Sequence, residues 1–202
     1  MVNISFIYVD DECRYYDKCL PLLLPDRKKK ADALVNKIDR YISMLSSLLI
    51  YKCVLKDEIL FDENGKPYIH NYLKFNITHT KGIIAIAVSQ KEVGIDIENA
   101  SRSVDERLSK MFLNDGENSY SPIQTWTIKE SIIKCLGTGL RCNLKNVPLP
   151  KELGKVYQYQ NTNLISESKM LDNNYFLSLT YESDALEEVT VEELDIEYLL
   201  ED

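Results

Sequence analysis

A chain of 202 residues can bury one generous core or two small ones, and 45% apolar with 28% charged residues is the balance of a globular protein. The formal net charge of −8 works against nucleic-acid binding through a basic surface, and no apolar run approaches the roughly 20 residues that span a bilayer. Cys13, Cys19, Cys53, Cys135 and Cys142 lack paired zinc-type spacing, and His70 and His79 are the only histidines; with no signal-peptide pattern at the N-terminus, these features point to a reduced, cytoplasmic protein without a Cys/His zinc site.

Residues 2–9 read as a first strand, dominated by apolar and aromatic side chains. After Pro21 and Pro25, residues 26–52 carry a helical pattern whose Leu34, Ile38, Leu45, Leu48 and Leu49 form a buried face. The expected first turn holds Arg27, Lys28, Lys29 and Lys30, cations at the end where the helix dipole favours anions. It is either a solvated basic turn or a phosphate site. Asn64-Gly65 marks a turn and residues 66–70 an extended segment. Residues 83–88 (IIAIAV) read as a buried strand and 92–97 as its hairpin neighbour, joined by a short turn at 89–91. A short helix over 105–112, a loop over 114–122 and a second substantial helix over 124–136 follow, the last stopped by Gly137 and Gly139. Residues 176–181 form a further strand. Strand, helix and strands thus occur in that order roughly twice around residue 101, which predicts an α+β protein of two similar halves, 1–100 and 101–202. From Tyr181 onward there is no Lys or Arg, and acidic residues alternate with Val189, Val191, Leu194, Ile196, Leu199 and Leu200, a strand or helix that caps the second half.

Read as a strand, VGIDIE at 93–98 puts Gly94, Asp96 and Glu98 on one face. Neighbouring carboxylates repel unless they are solvated, share a proton or share a cation, and hard oxygen ligands suit Mg²⁺ or Ca²⁺ better than zinc. In the helix TWTIKESIIKCLG, Trp126, Glu130 and Lys134 lie at i, i+4 and i+8 and share a face. That spacing is either an ordinary surface ion pair or a third carboxylate for a metal followed by a phosphate-binding lysine. In FNITHT, Thr78 and Thr80 flank His79, and all three side chains are donors suited to a phosphate.

GKP (Gly65, Lys66, Pro67), FNITHT, VGIDIE and WTIKESIIKCLG, in that order over residues 65–140, resemble the motif set of 4′-phosphopantetheinyl transferases of the larger, two-halved type. The resemblance implies two α/β halves related by a pseudo-twofold axis, each a helix on a small, mostly antiparallel sheet. It also implies a monomer that moves phosphopantetheine from coenzyme A to a serine of an acyl, peptidyl or aryl carrier protein and releases 3′,5′-ADP. Nucleic acid and membrane are not among the implied partners. Carried over by position, Asp96, Glu98 and Glu130 would hold Mg²⁺, with Glu130 the base for the incoming serine and Lys134 a pyrophosphate contact. Arg27, Lys30, Thr78 and His79 would grip the nucleotide phosphates, while Lys66 and Pro67 line the adenine side. Thr78 stands where the family usually has Ser, Arg40 is the nearest match to a mid-helix arginine, and Glu117 matches a frequent glutamate in a shortened loop. A non-catalytic module that binds coenzyme A or a carrier protein is the alternative. The acidic segment 187–202 is then either a cap or a competitor for carrier-protein docking.

Overall fold

The computed structural model describes residues 1–70, 73–139 and 142–201; Leu140, at the end of the motif region, and Asp202, at the end of the acidic tail, lie outside them. The chain runs β1 (Val2–Tyr8), α1 (Tyr16–Cys19), α2 (Pro25–Asp32), α3 (Lys37–Cys53), β2 (Leu60–Phe61), β3 (Pro67–Tyr68), β4 (Lys74–Thr80), β5 (Ile83–Ser89), β6 (Val93–Asn99), α4 (Glu106–Ser109) and α5 (Pro122–Leu136). It continues through β7 (Val156–Tyr159), β8 (Thr162–Leu171), β9 (Tyr175–Glu182), β10 (Val189–Glu193) and α6 (Ile196–Leu200). One sheet has the order β10-β1-β5-β4, a second has β6-β9-β8-β7, and β2-β3 is a small hairpin.

The alternation of side chains along each strand builds the layers. In β5 every residue is buried: Ile83, Ala85 and Ala87 meet residues of the second sheet, and Ile84, Ile86 and Val88 lie in the core beneath α3. Val93, Ile95 and Ile97 of β6 join the inter-sheet core, so Gly94, Asp96 and Glu98 face the other way, toward α5. Helix α3 covers the first sheet with Tyr41, Met44, Leu45, Leu48 and Leu49; burial of Met44 and of each leucine is worth about 1.5–3 kcal/mol. Helix α5 covers the second sheet, N-capped by Ser121, with Pro122 in its first turn and the left-handed Gly137 at its end.

Two expected features are corrected. The single helix over 26–52 is two helices, because Asn36 is extended and its side chain caps α3 by accepting from the Ile38 amide at 2.8 Å. Because α2 ends at Asp32, Lys29 and Lys30 fall in its last turn, where the helix dipole favours cations, while Arg27 and Lys28 stay in the first turn with Asp26. The hairpin between β5 and β6 does not form either. Strand β6 pairs antiparallel with β9, register Gly94↔Thr180 and Asp96↔Ser178, while β5 lies between β1 and β4.

The C-terminal acidic segment returns to the first sheet: β10 runs parallel to β1, and Ile196 and Leu199 of α6 enter the core beneath α3. It caps the first sheet, where the sequence pattern had suggested the second half. Among the described residues no helix is long and apolar enough to cross a membrane.

Candidate active site

The edge strands β4 and β6 meet along a seam closed by side chains. The Asn76 carboxamide oxygen accepts from the Ile95 amide at 3.0 Å, Thr78 Oγ1 donates to Asp96 Oδ1 at 3.1 Å, and Thr80 Oγ1 donates to Glu98 Oε2 at 2.9 Å. The alternation of FNITHT thus turns Asn76, Thr78 and Thr80 toward the carboxylate strand. Helix α5 lies close enough that a Cβ on Gly94 would stand 2.1 Å from the Ser131 carbonyl oxygen and 2.2 Å from the Cys135 nitrogen. Only glycine allows this approach, which brings Lys134 Nζ to 2.6 Å from Asp96 Oδ1 and 3.2 Å from Thr78 Oγ1.

Glu130, one turn earlier on the same helix face, is buried. Burial first, then the charges of Asp96 and Glu98, push its carboxyl up to about 6, against a downward pull from Lys134. Glu98 is raised by burial, and by Asp96 more weakly, while its bonds to Thr80 and Arg102 pull it down. Among the described residues no three His, Cys, Asp or Glu side chains stand close enough together to form a preassembled metal cage. The donor set nevertheless fits a hard cation. Asp96 Oδ2 is buried without a hydrogen-bond partner among the described residues, and the like charges around Glu130 favour added positive charge. As arranged, Lys134 is the counter-ion of Asp96, and Glu98 is turned to Thr80 and Arg102.

On the side of the seam toward α3, a cavity of about 440 Å³ collects Arg27, Lys30, Pro67, Ile77 and His79. Lys30 lies 4.8 Å over the Phe61 ring, and Arg27 Nε donates to Ser47 Oγ at 2.9 Å. His79 is exposed to this cleft; the surrounding protein first, and the Lys134 charge second, hold its imidazole below the usual range. A smaller cavity of about 210 Å³ across Pro67 and Ile77 holds Lys66, Glu130, Lys134 and Gly137. Pro67 and Ile77 line both, so the two cavities are neighbours on either side of these residues.

Asp96, Thr78, Glu130 and Lys134 are therefore together, and Arg27, Lys30, Pro67 and His79 gather beside them. Lys66 is only half in the expected place. Its stem borders the small cavity, but its ammonium donates to Glu92 at 2.6 Å and to the Cys135 carbonyl at 2.9 Å, tying the β2–β3 hairpin to the end of α5. Arg40 donates to the Leu34 carbonyl, which pins the break between α2 and α3, and it does not line the cleft.

Sequence reasoning missed Ser43 and Ser46, which line the 440 Å³ cavity and whose buried hydroxyls have no partner among the described residues; their spacing on the cleft face of α3 was the available signal. It also missed Lys129, fully buried, which donates to the Phe112 carbonyl at 2.8 Å and to Glu117 at 2.7 Å. Burial raises the Glu117 carboxyl, but the bonds from Lys129 and Asn114 together hold it below the usual range.

A family model described as the 4′-phosphopantetheinyl transferase superfamily matches residues 92–182, the stretch that holds β6, α5 and β9. A 4′-phosphopantetheinyl transferase (gsp) of Aneurinibacillus migulanus is 34% identical over 161 residues, 69% of this chain and 68% of its own. The chain belongs to the 4′-phosphopantetheinyl transferase superfamily. A 4′-phosphopantetheinyl transferase of Bacillus subtilis is 29% identical over 61% of this chain and 64% of its own. The L-aminoadipate-semialdehyde dehydrogenase-phosphopantetheinyl transferase of Xenopus laevis is 24% identical over 80% of this chain and 68% of its own. The catalytic reading holds over the binding-module alternative: this chain is a transferase, and its α+β architecture accords with the family.

Proposed function

We propose that this transferase moves the phosphopantetheine arm of coenzyme A to a serine of an apo carrier protein of the acyl, peptidyl or aryl class, in a Mg²⁺-dependent reaction that releases 3′,5′-ADP. The observation that carries the reading is the Lys134–Asp96 contact of 2.6 Å, with the up-shifted Glu130 and Lys134 lining the smaller cavity and the larger one next to it. In this reading the larger cavity takes the nucleotide. Arg27, Lys30 and His79 meet its phosphates, Ser43 and Ser46 supply hydroxyl donors, and the backbone and ring at Pro67 border the base. The pyrophosphate lies along the seam, where Lys134 and Thr78 donate to its oxygens.

Glu130, with a pKa near 6, is ionised at neutral pH yet basic enough to take the serine proton. The serine oxygen forms its bond to the phosphorus that carries the pantetheine arm. The bond from that phosphorus to the bridging oxygen breaks, and 3′,5′-ADP leaves with that oxygen. Mg²⁺ held by Asp96, Glu98 and Glu130 would supply charge neutralisation for the pyrophosphate. In this reading the nucleotide side lies within residues 1–100 and the third carboxylate and the lysine helix within 101–202 of a monomer with two pseudo-twofold-related halves, but the sheets do not divide at residue 100: β6 belongs to the second sheet and β10 returns to the first. The five free cysteines agree with a cytoplasmic setting.

The test is release of 3′,5′-ADP from coenzyme A and Mg²⁺ with apo carrier proteins of each class. Release that needs the acceptor supports the proposal. Equal release without any acceptor would show a phosphohydrolase instead.

A further inference from the structure

The face of the second sheet under α5 carries a band of hydroxyls beside an aliphatic cluster in which Ile128 and Ile132 of α5 pack with Leu164 of β8. Thr127, Ser131, Ser166, Ser178 and Thr180 are all fully buried. They fall into two ranks set by strand register: Asp96, Ser178 and Ser168 lie side by side across β6, β9 and β8, and Gly94, Thr180 and Ser166 lie one rank along. Thr127 and Ser131, one helical turn apart on α5, each meet one rank. Thr127 Oγ1 is 2.8 Å from Ser178 Oγ, and Ser131 Oγ is 2.7 Å from Thr180 Oγ1. Behind them Ser178 donates to Ser168 at 3.0 Å, and Ser166 joins Thr180 at 2.8 Å and Tyr157 at 2.7 Å.

We propose that Thr127 and Ser131 are positioning residues, two pegs that set the depth and rotation of α5 on the sheet and so aim Glu130 and Lys134 at Asp96. The proposal rests on the catalytic reading of those three residues. An aliphatic interface is non-directional, so a helix can shift on it at little cost. Sliding α5 by one residue moves it about 1.5 Å along its axis and turns it by roughly 100°, which carries Lys134 off Asp96. Hydrogen bonds to hydroxyls fixed on a strand oppose that shift, since they weaken steeply with angle. Gly94 supplies the third point of registry by letting the Ser131 carbonyl touch the strand. Stability alone does not call for this design, because replacing both partners of a buried hydrogen bond by apolar groups of like shape is close to neutral.

The test uses two paired variants, Thr127→Val with Ser178→Ala and Ser131→Ala with Thr180→Val, in the full chain. The expected result is a cooperative unfolding midpoint near wild type, kcat lower by roughly tenfold or more, and little change in KM for coenzyme A. Thr127→Ser, which keeps the hydroxyl, should retain wild-type kcat. Thr125→Val is the control: Thr125 is also fully buried on α5, but its hydroxyl has no partner, so kcat should not move. If a paired variant does not fold, Ser131→Ala alone, which removes one oxygen, carries the test with an expected fall in kcat. Folded variants with kcat within about twofold of wild type, or an equal loss in Thr125→Val, overturn the proposal. Glu130→Gln in the same assay separates the two levels. An inactive Glu130→Gln beside fully active paired variants sinks the pegs alone, whereas an active Glu130→Gln sinks the catalytic reading beneath them.

Discussion

Replacing Glu130 by Gln should stabilise the metal-free protein while destroying its activity. The carboxyl of Glu130 moves from 4.5 in the unfolded chain to about 6 in the fold, by burial and by repulsion from Asp96 and Glu98. A raised carboxyl means the fold prefers the protonated form. The preference adds stability that is complete below pH 4.5 and lost as pH rises through 6. The shift corresponds to about 2 kcal/mol at pH 7.5, since one pKa unit is worth about 1.4 kcal/mol. Glutamine carries no charge at either pH, so Glu130→Gln should gain up to about 2 kcal/mol at pH 7.5, or roughly 4–8 °C in Tm for a domain of this size, and almost nothing at pH 4.5. The attraction to Lys134 is already contained in that net shift. Urea and thermal denaturation in chelator at both pH values measure it. No gain at pH 7.5, or the same gain at pH 4.5, would refute the electrostatic account of the site. Added Mg²⁺ should raise the wild-type midpoint and leave that of Glu130→Gln nearly unmoved.

Gly94→Ala drives a methyl into the α5 backbone at 2.1 Å from the Ser131 carbonyl, and denaturation should show a loss of about 2 kcal/mol or more, or failure to fold. His79, held below its usual pKa by the cleft and by Lys134, is neutral at pH 7.5, and a bound phosphate favours its protonation. Affinity for 3′,5′-ADP by calorimetry should therefore gain more from a fall in pH from about 7.5 to 6 in wild type than in His79→Gln. Lys66→Met leaves Glu92 with Lys74 alone and frees the hairpin from the end of α5, so KM for coenzyme A should rise while kcat changes little. A large fall in kcat with KM intact would place Lys66 at the reacting phosphate.

The chemistry of the site was legible where local periodicity determined it. Alternation in VGIDIE separated the carboxylate face from the core face, and the four-residue spacing of Glu130 and Lys134 put both on one side of α5. The helix break at 33–36 was not legible, because Ala33, Leu34 and Val35 are compatible with a helix and Asn36 declares itself a cap only through its own side-chain bond. The partner of β6 was hidden for another reason. Its short link to β5 suggested a hairpin, but pairing with β9, some eighty residues on, is what frees the face of Gly94 for α5. Lys66 was placed by motif and not by reach: the carbonyl at the end of a helix and a nearby Glu92 compete for an ammonium that the motif reading assigns to the adenine side.

The central claim is that Asp96, Glu130 and Lys134 carry the transfer. Intact-mass measurement of an apo carrier protein after incubation with coenzyme A, Mg²⁺ and each enzyme variant tests it most directly. The wild-type protein should convert the acceptor to a species heavier by one phosphopantetheine, and Asp96→Ala and Glu130→Gln should leave it at its apo mass. Conversion by either variant at near wild-type rate would contradict the account.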